Sequence, residues 1–273
     1  MREGDVKQHI GNGALHPKPL DAELNAFASR CFRDVADMDY INARLCNRAG
    51  MAMQFHWAAM QAMEKYYKAI LLYNRIEATD VNHNLAKTQQ YSRKLPFELH
   101  LSDETQHLIE YLNQCGPDRY LSVSYNLHGD KLSSLDRAVW EIRRYCKILN
   151  YTLSTQHGDV PMLVKELGRI ETAEDLPPHK FRLPGGRLEE IVRKKNHPAR
   201  EALIWHNRYY GLASRATTNP PKWSRSENSP ILMYPGLLEE VIKYIKVPVP
   251  VIKAYRAYFA RKPEEAGADN LSG

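Results

Sequence analysis

The residues best suited to chemistry gather in the second half of the chain. Arg193, Lys194, Lys195, His197, Arg200, Arg208, Tyr209 and Tyr210 lie within eighteen residues, and Lys222, Trp223 and Arg225 follow in a polar loop. Lysine and arginine neutralise phosphates regardless of base sequence, and aromatic rings stack on unpaired bases. Such a mixture suits a single-stranded nucleic-acid surface. It forms one patch only if the helices that carry it turn the same way; the other reading is a solvated face with snorkelling side chains. Gly185-Gly186 ahead of Arg187 could cradle a phosphate at a helix N-terminus or simply turn the chain. Arg200 and His206 are six residues apart, which on a helix leaves them about 120° apart around the axis and off a common face. The sequence holds no set of metal ligands at usable spacing, no Ser-His-Asp set and no nucleotide-binding glycine loop, so neither metal nor cofactor is expected.

Helices must position these residues. Residues 1–19 read as an irregular lead-in. From Asp21 an apolar face runs through Leu24, Phe27, Ala28, Cys31, Val35, Met38 and Leu45, with Asp21 capping the first turn. A second helix spans about 51–75, and a third follows Asn82, a suitable N-cap, to about Ser92. A fourth begins at Ser102 and ends near Gly116-Pro117. In residues 118–131 Tyr120, Leu121, Val123 and Tyr125 could be extended, and Gly129-Asp130 marks a turn. The spacing of Leu135, Ala138, Val139, Ile142, Cys146, Leu149 and Leu153 predicts a last helix over 132–153. Five helical segments with short connections and no convincing strand pattern predict an all-α fold, an antiparallel bundle over residues 20–154. A basic, less regular helical region covers 155–262, with helices at about 161–171, 187–195, 198–210, 235–246 and 250–261. The tail from 263 is expected to be disordered.

The chain has 273 residues, 43% hydrophobic and 26% charged, in the range of globular proteins. No apolar run approaches the roughly eighteen residues of a membrane helix, and the N-terminus lacks an apolar signal core, which predicts a cytoplasmic protein without membrane contact. The scattered Cys31, Cys46, Cys115 and Cys146 read as buried thiols. Residues 1–160 hold 19 basic and 19 acidic side chains, whereas 161–273 hold 19 and 13, so the net charge of +6 sits in the second half. A polyanion-facing surface is expected there.

One stretch is more specific. In Gln54–Tyr73, residues Phe55, Ala58, Ala59, Ala62, Tyr66, Ala69 and Ile70 form the stripe of a helix buried along one side, with Gln54, Gln61, Glu64, Lys65 and Lys68 off it. His83-Asn84-Leu85 follows after a short loop, with His83 capping or packing at a helix start. The order Gln61-Ala-x-Glu64-Lys65-x-x-Lys68-Ala-Ile-Leu71, then His-x-Leu, resembles the HEPN domain, a helical-bundle family of prokaryotes, over about residues 20–154. The resemblance implies a homodimer. It also points to a family that includes metal-independent ribonucleases, whose arginine and histidine, four to six residues apart, lie near the start of the last bundle helix. There the histidine takes the 2′-OH proton and the arginine holds the phosphate. At the corresponding place this sequence has Arg119-Tyr120, similar to the family's Arg-Tyr, and His128, with eight residues between Arg119 and His128 instead of four to six.

Three functions follow as expectations. The leading one is a dimeric RNA- or nucleotide-binding or regulatory module with a basic C-terminal region. The second is a metal-independent endoribonuclease of phage defence or a toxin system, with Arg119 and His128 catalytic. The third is a protein-interaction partner of a nucleotidyltransferase.

Overall fold

The long apolar stripe of residues 52–73 forms the central axis of the fold. A computed structural model of the chain describes residues 19–81, 83–115, 125–128, 131–175, 186–211, 224–227 and 233–260; for 125–128 and 225–227 it describes the backbone alone. Helices α1 (Pro19–Phe27) and α2 (Asp34–Arg48) are joined by a π-helical turn, Ala28–Arg33. Helix α3 (Ala52–Tyr73) follows, then α4 (Leu85–Ser92), α5 (Asp103–Cys115) and α6 (Lys131–Arg143). Every residue of the expected α3 stripe is buried, and so are His56, Met60, Met63, Glu64 and Tyr67 on its other sides. At about 1.5 Å per residue α3 is a rod of ~33 Å, packed against α1, α2, α4, α5 and α6. Its alanines let α2 approach closely.

The fold is all-α, as expected, with two short antiparallel ladders whose pairing the sequence reading missed. Strand β1 (Tyr125–His128) pairs with β4 (Ser224–Glu227), and β2 (Thr152–Thr155) pairs with β3 (Gly158–Pro161). Then come α7 (Leu163–Asp175), α8 (Arg187–Arg193), α9 (Arg200–Ile204), α10 (Leu238–Tyr244) and α11 (Val249–Ala260). Helix α9 is much shorter than the expected 198–210. The expected lead-in and tail, apart from Pro19, lie outside the described residues.

Three local expectations are corrected. Most of the apolar row on α1 and α2 faces outward: Phe27 is 52% exposed, Val35 39%, Met38 45% and Leu45 46%, and Cys31 is exposed, so it is no buried thiol; of that row Ala28 alone is buried. The inward face is Ala36, Asp37, Tyr40, Ile41, Ala43, Arg44 and Asn47, because the charged members find partners inside. Helix α6 stops at Arg143, ten residues early. The amides of Tyr145 and Cys146 donate to the carbonyls of Ile142 and Arg143, tightening the chain into turns, and Leu153 lies 48% exposed on β2. The cap of α4 is Asn84, whose side chain accepts from the Lys87 amide at 2.9 Å; Asn82 lies outside the described residues.

The hydrophobic core does not end at residue 154. Ile170, Leu188, Ile191, Ala202, Leu203 and Tyr210 belong to the same buried cluster as α2, α3, α5 and α6. Two buried ion clusters fix this junction. Arg143 on α6 donates to Asp37 of α2 at 2.7 and 2.9 Å and to Glu189 of α8 at 2.6 and 2.7 Å, and Tyr66 of α3 also donates to Asp37. Burial works against the Arg143 charge, but Asp37, Tyr210 and Glu189 outweigh it and raise its pKa. Gly186 caps α8 where a Cβ would meet Glu189 and Arg143, so a glycine fits there. Arg44 pairs with Asp136, also held by Tyr40, and donates to the carbonyls of Ala202 and Trp205. Asn207 bonds Tyr40 and receives the amides of Tyr209 and Tyr210.

Residues 233–260 carry a small cluster of their own: Leu238, Val247, Val251 and Tyr255. Among the described residues no helix is long and apolar enough to cross a membrane.

Candidate nucleic-acid interface

One end of the bundle gathers groups from the start of α3, the end of α5, the start of α6 and β1. His56 is buried in the first turns of α3, and its Nε2 meets the Tyr111 hydroxyl of α5 at 2.5 Å. Burial, and then the nearby Lys131 charge, lower its pKa to about 4 against the opposing pull of the Ala52 backbone carbonyl, which accepts from the ring, so the ring is neutral at pH 7. Lys131, the first residue of α6, sits 4.9 Å from the centre of the Tyr111 ring. Strand β1 packs against both α3 and α6. The sequence reading missed His56, Tyr111 and Lys131. A lone histidine between Phe55 and Trp57 on an apolar helix reads as core, and only the fold brings Tyr111 to it.

A second group lies along α3, on the residues that carry the resemblance. His83 approaches Glu64 at 3.0 Å and Gln61 at 3.0 Å through Nδ1, and its ring lies 5.4 Å from Trp57. Burial raises the Glu64 pKa, yet hydrogen bonds from Lys68 and His83 outweigh it and hold it below the usual value. The Gln61, Glu64, Lys68 and His83 side chains of the resemblance thus form one hydrogen-bonded group. His83 adopts φ 49°, a left-handed conformation costly for a non-glycine residue, and this network holds it. Asn113 of α5 accepts the Leu85 amide at 2.9 Å and ties this corner to α5.

Each sequence candidate can now be located. Arg119, Lys222 and Trp223 lie outside the described residues. His128 ends β1 opposite Ser224 of β4, and Leu127 stands opposite Arg225. This ladder joins the backbones of 125–128 and 224–227, about a hundred residues apart in sequence.

Arg193, Lys194 and Lys195 are exposed where α8 ends. Lys194 pairs with Glu190 at 2.5 Å, and Arg187 pairs with the same carboxylate at 3.0 Å. Arg200 is half-buried and donates to the Val192 carbonyl at 3.0 Å, which fastens the turn between α8 and α9. Arg208 is exposed. Tyr209 stacks on Trp140 with centroids 6.0 Å apart. His206 lies beyond the end of α9 and meets the Trp205 ring edge-on at 4.7 Å, so the angle expected between Arg200 and His206 on one helix does not apply.

Among the described residues no group of three or more His, Cys, Asp or Glu is placed to hold a metal ion. No protein-family model, curated protein or solved structure matches the chain.

Proposed function

We propose that this chain is a HEPN-like, homodimeric module that binds single-stranded RNA or a nucleotide. The observation that carries this reading is the β1–β4 ladder, which pairs the His128 segment with the basic segment around Arg225 beside the Lys131–Tyr111–His56 group. A phosphate chain over this end of the bundle would pass Lys131 and the β1–β4 ladder, and the exposed Arg193–Lys195 turn offers further cations. Dimerisation is supported by the outward row Leu20, Phe27, Val35, Met38 and Leu45. These five expose on the order of 500 Å² of mostly apolar surface, the larger part of the ~800 Å² that a standard interface buries per partner. Fluorescence anisotropy with a labelled single-stranded RNA over a salt series tests the reading. Affinity should fall steeply with salt, and changing Lys194 and Lys195 together to alanine should weaken binding and flatten the slope. Binding indifferent to ionic strength counts against it.

The second reading is a metal-independent endoribonuclease with Arg119 and His128 as its catalytic pair. It is favoured by one observation: β1, which carries His128, packs on α3 and α6, the helices that hold the neutral buried His56 and Lys131. Cleavage of RNA that survives EDTA and is lost in both Arg119→Ala and His128→Ala supports it. Cleavage unchanged by both substitutions rejects it.

A further inference from the structure

We propose that His83, on the turn between α3 and α4, is a phosphoryl-acceptor site whose imidazole Nε2 takes the phosphoryl group of a phosphoramidate-type donor. Two histidines of this chain set the comparison. The side chains of His83 and His100 are each 54% exposed, and each faces a glutamate through Nδ1. The Glu171 side chain facing His100 is itself 60% exposed and 3.9 Å away. That of Glu64 is 3% exposed and 3.0 Å from His83.

Burial acts to raise the Glu64 pKa, but hydrogen bonds from Lys68 and His83 outweigh it, so this carboxylate is ionised at pH 7. An ionised carboxylate only accepts, so Nδ1 of the neutral ring carries the hydrogen and Nε2 keeps its lone pair. Such an arrangement activates a histidine as a nucleophile. Attack by Nε2 leaves positive charge on the ring, and a carboxylate held at Nδ1 stabilises it. The buried Glu64 does so more strongly than the water-screened Glu171. Gln61, 3.0 Å from Nδ1, and Trp57, with its ring centre 5.4 Å away, restrict the His83 ring.

Two observations favour an anionic group on Nε2. Lys68 holds the other Glu64 oxygen at 2.6 Å, which balances part of the charge that would repel an anion. His83 also directly precedes Asn84, the cap of α4, and the positive end of that helix favours negative charge beside it. In the transfer the Nε2 lone pair forms a bond to phosphorus and the P–N bond of the donor breaks. Ammonia leaves with that electron pair, from the ammonium form of the donor, and the Nδ1 hydrogen stays on the ring. The acceptor stands on an exposed turn, and the proposal does not depend on RNA binding.

Incubation of the full chain with phosphoramidate, sampled over time and mapped by mass spectrometry, tests the proposal. His83 should gain acid-labile phosphate about tenfold faster than His100, the equivalent of one hydrogen bond. Glu64→Gln should abolish that advantage. His83→Asn should lose the fast phase of phosphate uptake; asparagine tolerates the left-handed backbone of φ 49°, so this variant keeps the test valid if Glu64→Gln disturbs the fold. The proposal is overturned if His83 is labelled no faster than His100, if His83→Asn retains the fast phase, or if folded Glu64→Gln labels His83 at the parental rate.

Discussion

Residues 187–210 and residues 233–260 are both short helices linked by turns, yet they are held by different physics. The first segment is bolted into the bundle by buried charge: Arg143 bridges Asp37 and Glu189, and Arg44 bridges Asp136 and the carbonyls of Ala202 and Trp205. The second rests on four buried apolar side chains and on exposed pairs such as Arg256 with Glu239. Buried pairs are unforgiving because each member depends on the other, whereas exposed pairs are screened by water. Compositional likeness therefore says little about how tightly a segment is built in.

The largest expected effect breaks the first kind of contact. Arg143→Met strands Asp37 and Glu189 in the interior and should destabilise the chain by about 3–5 kcal/mol in urea denaturation. Arg256→Met, the matching change at the exposed pair, should leave the same transition where it was. Equal effects at the two sites would abolish the contrast.

The next effect depends on pH. His56 has a folded pKa of about 4 against an ordinary 6.5, so between these values the unfolded chain binds the extra proton. Stability should be fully present above pH 6.5 and fall as the pH drops toward 4, by up to ~3 kcal/mol. His56→Gln should remove that component from denaturation curves taken at pH 7 and pH 4.5, and an unchanged slope would show that His56 does not carry it.

A smaller effect, ~1–3 kcal/mol, is expected from Gly186→Ala. Its added methyl must displace the Glu189 and Arg143 side chains, which their mutual pairing locks. Smaller again, Asn84→Ala should cost ~1 kcal/mol by removing the cap of α4. Met38→Asp, on the outward row, should hardly alter protomer stability but should shift light scattering from dimer to monomer. A mass unchanged by this substitution argues against dimerisation through that face.

The elements that were legible in the sequence were those whose burial is purely apolar. The Phe55–Ile70 stripe identified α3 because alanine, phenylalanine and isoleucine bury without partners. Helix α2 was misread for the opposite reason. Asp37 and Arg44 look like surface residues until Arg143 and Asp136 are placed beside them, a hundred and six and ninety-two residues away. The end of α6 was hidden because Cys146 and Leu149 stay buried after the helix has become turns, so the apolar spacing outlasts the structure. At the candidate interface His83 and Glu64 were visible as a motif but not as partners. The pairing of His128 with Ser224 depends on a contact that no local pattern encodes.

Hydrogen–deuterium exchange of the full chain, with and without single-stranded RNA, tests the central claim most directly. The account expects RNA to slow exchange in 125–131 and 224–227, with a weaker effect at 193–200 and none in 238–260. No RNA-dependent protection, or protection confined to 238–260, would contradict it.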